Sequence, residues 1–158
     1  MINNIREHIQ NNSKVISLEY GVGEIVGKSI MYDCVDDFLE VLYYKDQKVR
    51  YFSFTKKNDM RLLSPKMKVE SALKALSTKL SDESVHNEFD EMNAKFDNKN
   101  VCFIVKRIVD LLRRDDRSPE DNLLLDLSIQ SLTQEVGQVY QVDKIIARGI
   151  VSDFMKSA

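Results

Sequence analysis

Leu62-Leu63-Ser64-Pro65-Lys66-Met67-Lys68-Val69 is where the periodicity of this chain changes. Before it, apolar residues come in short β-branched and aromatic runs; after it, they recur every three or four residues. Ser64 is placed to cap a helix, and Pro65 suits a first helical turn, where its missing N–H would be unpaired anyway. The stretch predicts a boundary between a β unit, residues 13–63, and a helical unit, residues 64–158, and therefore an α+β fold.

Upstream, Val15-Ile16, Glu24-Ile25-Val26, Ile30-Met31-Tyr32, Phe38 to Tyr44 and Val49 to Phe54 read as strands separated by glycine, aspartate or lysine clusters. Strands this short, in a segment this small, predict a β-barrel or strongly bent sheet, because only curling buries the apolar face. The last two runs flank the polar Lys45-Asp46-Gln47-Lys48, a connection of hairpin length. Gly21-Val22-Gly23-Glu24-Ile25-Val26-Gly27 lies between strands with no helix to receive a pyrophosphate, so it reads as a tight turn at Gly21 and Gly23 and a bulge or bend at Gly27 rather than a nucleotide site.

Downstream, Val69, Ala72, Leu73, Leu76 and Leu80 form one apolar stripe, and Val85, Phe89, Met92 and Phe96 a second on a strongly acidic helix. Val101, Ile104, Val105, Ile108, Leu111 and Leu112 predict a third helix, ending near Asp115-Asp116-Arg117. Ser118-Pro119-Glu120-Asp121 combines a cap, a first-turn proline and acids suited to a helix dipole, and starts the fourth, with Leu124, Leu125, Leu127, Ile129, Leu132 and Val136 as its stripe. A fifth runs from about Val142 through Ile145, Ile146, Ile150 and Phe154.

With 158 residues the chain is too short for a large multidomain enzyme. Its formal charge of −2 predicts no whole-molecule attraction to nucleic acid, so any DNA contact has to come from a local patch. Two cysteines, Cys34 and Cys102, make no disulfide framework, and no run approaches the roughly 20 apolar residues of a membrane helix. A cytoplasmic protein without membrane attachment or export signal is expected.

No metal or catalytic constellation stands out. His8 and His86 lie far apart without ligand-spaced partners, and no nucleophile elbow surrounds any serine. The most basic stretch holds Lys106, Arg107, Arg113, Arg114 and Arg117. Lys106 and Arg113, like Arg107 and Arg114, are seven residues apart and return to nearly one helix side, a row that could hold phosphates. Equally, Asp110 at spacings of three and four could pair with Arg107 and Arg114 on a solvated face.

The order of these pieces resembles the CarD/CdnL family of bacterial transcription regulators. Lys14-Val15-Ile16 and Tyr20-Gly21-Val22-Gly23-Glu24-Ile25-Val26-Gly27 are similar to the opening of the family's Tudor-like, SH3-like barrel, and Asp59-Met60-Arg61-Leu62-Leu63-Ser64 to its closing step. Ile108-Val109-Asp110-Leu111-Leu112-Arg113-Arg114-Asp115 is similar to the family's basic helix, followed by Ser118-Pro119-Glu120 and Leu132-Thr133-Gln134-Glu135. The resemblance spans about Lys14 to Phe154. Leu112 stands where many members carry a tryptophan wedge, and this chain has no tryptophan.

The resemblance implies a non-enzymatic, cofactor-free regulator. Its β unit would bind the amino-terminal lobe of the RNA polymerase β subunit, and its basic helix would touch promoter DNA weakly and without sequence preference, tuning the open complex. The expected docking residues are Arg50, Tyr51 and Phe52, with Lys48 and Lys28 nearby; the expected DNA residues are Arg113, Arg114, Lys106 and Arg107, with Leu112 as an apolar wedge or a core leucine. A monomer is expected. The alternatives are a polymerase adaptor that never touches DNA and a small enzyme of unrecognised type.

Overall fold

The computed structural model describes residues 13–30, 37–53, 60–81 and 101–156. The chain divides into two compact units that meet between Leu63 and Ser64. The expected acidic helix, Cys34, His8 and His86 lie outside the described residues.

The first unit is a five-stranded antiparallel sheet: β1 (Lys14–Ser17), β2 (Gly21–Ile30), β3 (Asp37–Tyr43), β4 (Lys48–Ser53) and β5 (Arg61–Leu62). Its order is β4-β3-β2-β1-β5. The barrel expected from strand content is therefore an open sheet in its hydrogen bonding, since β4 and β5 end it without pairing to each other among the described residues. A two-residue β5 makes one short ladder with β1 and leaves nothing with which to close the ring.

Glycine chemistry shapes the start of the sheet. Gly21 turns the chain at φ 78°, a left-handed conformation that costs a glycine little. Gly23 sits so close to β3 that an added Cβ would lie 2.7 Å from the Leu42 carbonyl oxygen. The register shifts between Ile25 and Gly27. β2 continues past that bulge to Ile30; Met31 and Tyr32 of the expected next run lie outside the described residues. Val15, Ile25, Leu39, Val41 and Tyr43 form the buried cluster, with Tyr20, Phe52 and Met60 packed against it.

The second unit contains α1 (Lys66–Ser81), α2 (Val101–Leu112), α3 (Pro119–Tyr140) and α4 (Lys144–Lys156). Val69, Ala72, Leu73 and Leu76 of α1 are fully buried; truncating a leucine such as Leu73 to alanine costs about 2–5 kcal/mol. α2 packs against α1 and α3, and α4 against α3 and α1. Buried Glu135 of α3 accepts the Ser64 N–H at 2.8 Å and so ties down the first residue of the unit.

Two caps are local and complete. Ser118 Oγ accepts the Asp121 N–H at 3.1 Å while an Asp121 carboxylate oxygen accepts the Ser118 N–H, which makes a capping box at the start of α3. Asp143 Oδ1 accepts the Ile146 N–H at 2.9 Å and starts α4. On α4, Ala147 and Val151 are buried, whereas Ile145 and Ile146 are 84% and 52% exposed. No described helix is long and apolar enough to cross a membrane.

Candidate functional site

β4 is an edge strand, so one side of its backbone has no strand neighbour among the described residues. Its register with β3 pairs Arg50 with Val41 and Phe52 with Leu39, which places Arg50 and Phe52 on the face that carries the buried cluster. Val49 and Tyr51 alternate to the other face, 44% and 52% exposed.

Arg50 is held from two directions. Its terminal nitrogens take the two Asp46 carboxylate oxygens at 3.1 and 2.6 Å, and its guanidinium lies 4.1 Å from the centre of the Tyr20 ring. Asp46 belongs to the turn between β3 and β4, where it also accepts the Lys48 N–H at 3.1 Å. The hydrogen bonds from Arg50 hold the Asp46 carboxyl below the usual carboxylate range and raise the guanidinium in turn. The Tyr20 hydroxyl is pushed up, chiefly by its hydrogen bond with Glu19, with Arg50 opposing. Tyr20, Tyr43 and Phe52 complete an aromatic group with ring centres 5.2 to 6.4 Å apart.

Of the expected docking residues, Arg50, Tyr51 and exposed Lys48 thus lie together on the edge. Phe52 spends its ring on the core, and Lys28 is exposed on β2, two strands from the edge. Tyr20 was missed. Its role depends on a turn meeting a strand thirty positions away, which local periodicity does not encode.

The basic stretch is divided among different tasks. α2 ends at Leu112, and there Arg117 Nη1 donates to the carbonyls of Leu111, Leu112 and Arg114 at 3.3 to 3.5 Å, groups at and just past the helix end. The Arg107 guanidinium lies 4.6 Å from the centre of the Phe103 ring, half-buried, and burial lowers its pKa. Arg114 pairs with Asp121 at 3.0 Å; neither it nor Arg107 pairs with Asp110 among the described residues. Arg113 and Arg114 are exposed just past the helix end, and Lys106 is half-buried on α2.

Leu112 is neither fully buried nor a projecting wedge. It lines an open groove of about 590 Å³ with Ile129 of α3 and Val151 and Met155 of α4, and exposed Arg148 and Lys156 also border it. Periodicity within one helix does not reveal this groove, because its lining comes from three helices, α2, α3 and α4. No model of a known protein family matches the chain, and a search of the curated proteins returned no significant match.

Proposed function

We propose that this protein is a non-enzymatic transcription regulator whose sheet docks on the amino-terminal lobe of the bacterial RNA polymerase β subunit and whose basic helix end tunes the promoter open complex. The Tudor-like character of the sheet belongs to the same reading. One observation carries it: β4 has a strand neighbour on one side only among the described residues, and it bears an oriented cation at Arg50 between exposed Val49 and Tyr51, three consecutive residues. Main-chain pairing along such an edge supplies affinity and the alternating side chains supply specificity.

Arg113 and Arg114 then act on phosphates beside the melting region, independently of sequence and sensitively to salt. Little intrinsic DNA affinity is needed, because tethering to polymerase raises the effective concentration at the promoter. A second reading, the adaptor that never touches DNA, gains support from the way Arg107, Arg114 and Arg117 are occupied by Phe103, Asp121 and helix carbonyls.

The test is retention of the isolated β-subunit lobe by immobilised full-length protein, compared among wild type, Arg50→Glu and Tyr51→Asp. Tyr51 is exposed, so its replacement leaves the core intact. Loss of retention in both variants supports the reading, and no retention by wild type removes it.

A further inference from the structure

The groove bordered by Leu112 on the helical unit has an apolar floor and a cationic border. Leu112, Ile129, Val151 and Met155 supply the apolar surface. The Thr133 hydroxyl, also on its wall, is spent on the Ile129 carbonyl at 2.8 Å and offers no free donor. Arg148 and Lys156 are exposed and lie in no ion pair among the described residues, and no carboxylate lines the groove.

The outer face of α4 prolongs this surface. Ile145, Arg148, Ser152 and Lys156 follow one another at spacings of three and four, so they share a helix side, and Ile145 at the amino-terminal end is 84% exposed. Gly149 lies on the same side, and a Cβ there would meet nothing within 4 Å. Its lack of a side chain serves no packing among the described residues. It leaves open backbone next to Arg148 that another helix can approach closely.

We propose that this surface docks an acidic amphipathic helix of a partner protein. Charge complementarity selects that occupant: two cations flank an apolar floor, and no acidic residue lines the groove among the described residues. Arg148 and Lys156 are eight residues apart on one helix, about 12 Å along its axis. The matching partner carries carboxylates two turns apart, seven or eight residues, with large apolar side chains between them to cover the floor. A phosphate backbone would use the two cations but leave the floor of Leu112, Ile129, Val151 and Met155 without a counterpart. The inference is independent of the sheet edge, and its test contains no polymerase.

The probe is a fluorescein-labelled alanine- and glutamine-based helical peptide with glutamates seven residues apart and leucines at the third and fourth positions between them. Fluorescence anisotropy against the full-length protein reads its binding. Binding is expected to fall at least tenfold on Arg148→Glu with Lys156→Glu, and likewise on Gly149→Leu, which puts a bulky side chain beside Arg148 on the solvent side without entering the core. Circular dichroism checks that both variants keep their helix content. A peptide with lysines for glutamates, or serines for leucines, should bind at least tenfold more weakly. Absence of binding by the parent peptide, equal binding by either control, or indifference to the substitutions would overturn the proposal. So would a DNA duplex that binds wild type and is lost in Gly149→Leu, which would give the groove to nucleic acid.

Discussion

The Arg50 guanidinium stacks 4.1 Å from the centre of the Tyr20 ring, joining the edge strand of the sheet to the turn between its first two strands. With both Asp46 oxygens on its terminal nitrogens, this cation is oriented before any partner arrives. An oriented side chain loses less freedom on binding than a free one, so affinity is gained without new contacts.

The clamp has a pH signature. Hydrogen bonds from Arg50 hold Asp46 below the ordinary carboxylate value, so its folded pKa lies under its unfolded one, about 3.9. The stability it contributes is complete above that unfolded value and is lost as pH falls through the folded one. An NMR titration of the Asp46 side-chain carboxyl should find its midpoint below about 3.9, and Arg50→Ala should raise it toward that value, the Lys48 N–H still holding it down in part.

The α3 capping box makes a stability prediction. Removing the Ser118 hydroxyl takes away the acceptor for the Asp121 N–H, so Ser118→Ala should destabilise the helical unit by about 1 kcal/mol. Urea unfolding followed by helix circular dichroism measures it; no change in midpoint would mean that solvent replaces the cap.

Gly149→Ala should act in the opposite direction. The new methyl group enters open space and the position does not require a left-handed backbone, so the substitution should stabilise by about 0.5–1 kcal/mol through helix propensity and a less disordered unfolded state. Thermal unfolding of the same unit checks the sign.

Arg113 and Arg114 separate the two regulatory readings. If they neutralise phosphates, Arg113→Ala with Arg114→Ala should speed decay of polymerase–promoter complexes formed with the protein, and the difference should shrink as salt rises. Unchanged lifetimes would favour the adaptor.

What was legible in the sequence was what is local. Ser118-Pro119 announces a helix start because capping involves neighbours a few positions apart, and the turn before β4 is bounded by its own strands; α1 starts at Lys66, just past Ser64-Pro65, with the Pro65 carbonyl rather than the expected Ser64 hydroxyl accepting the first N–H groups. Closure of the sheet was misjudged because it depends on which distant strands pair, and β5 is too short to betray its place. The facing of α4 is illegible for a different reason. Apolar residues lie on more than one of its sides, so periodicity alone does not say that Ala147 and Val151, rather than Ile145 and Ile146, face inward. The Arg50–Tyr20 stack was hidden by the same dependence on register.

The most direct measurement of the central claim is the affinity of full-length protein for the isolated polymerase β-subunit lobe, by titration calorimetry, for wild type, Arg50→Lys, Arg50→Glu and Tyr51→Asp. Arginine's planar fork and its stacking are lost in lysine although the charge remains. The account predicts measurable wild-type binding, several-fold weaker with Arg50→Lys, and none with Arg50→Glu or Tyr51→Asp. Wild-type binding that survives all three substitutions, or no wild-type binding at all, would contradict it.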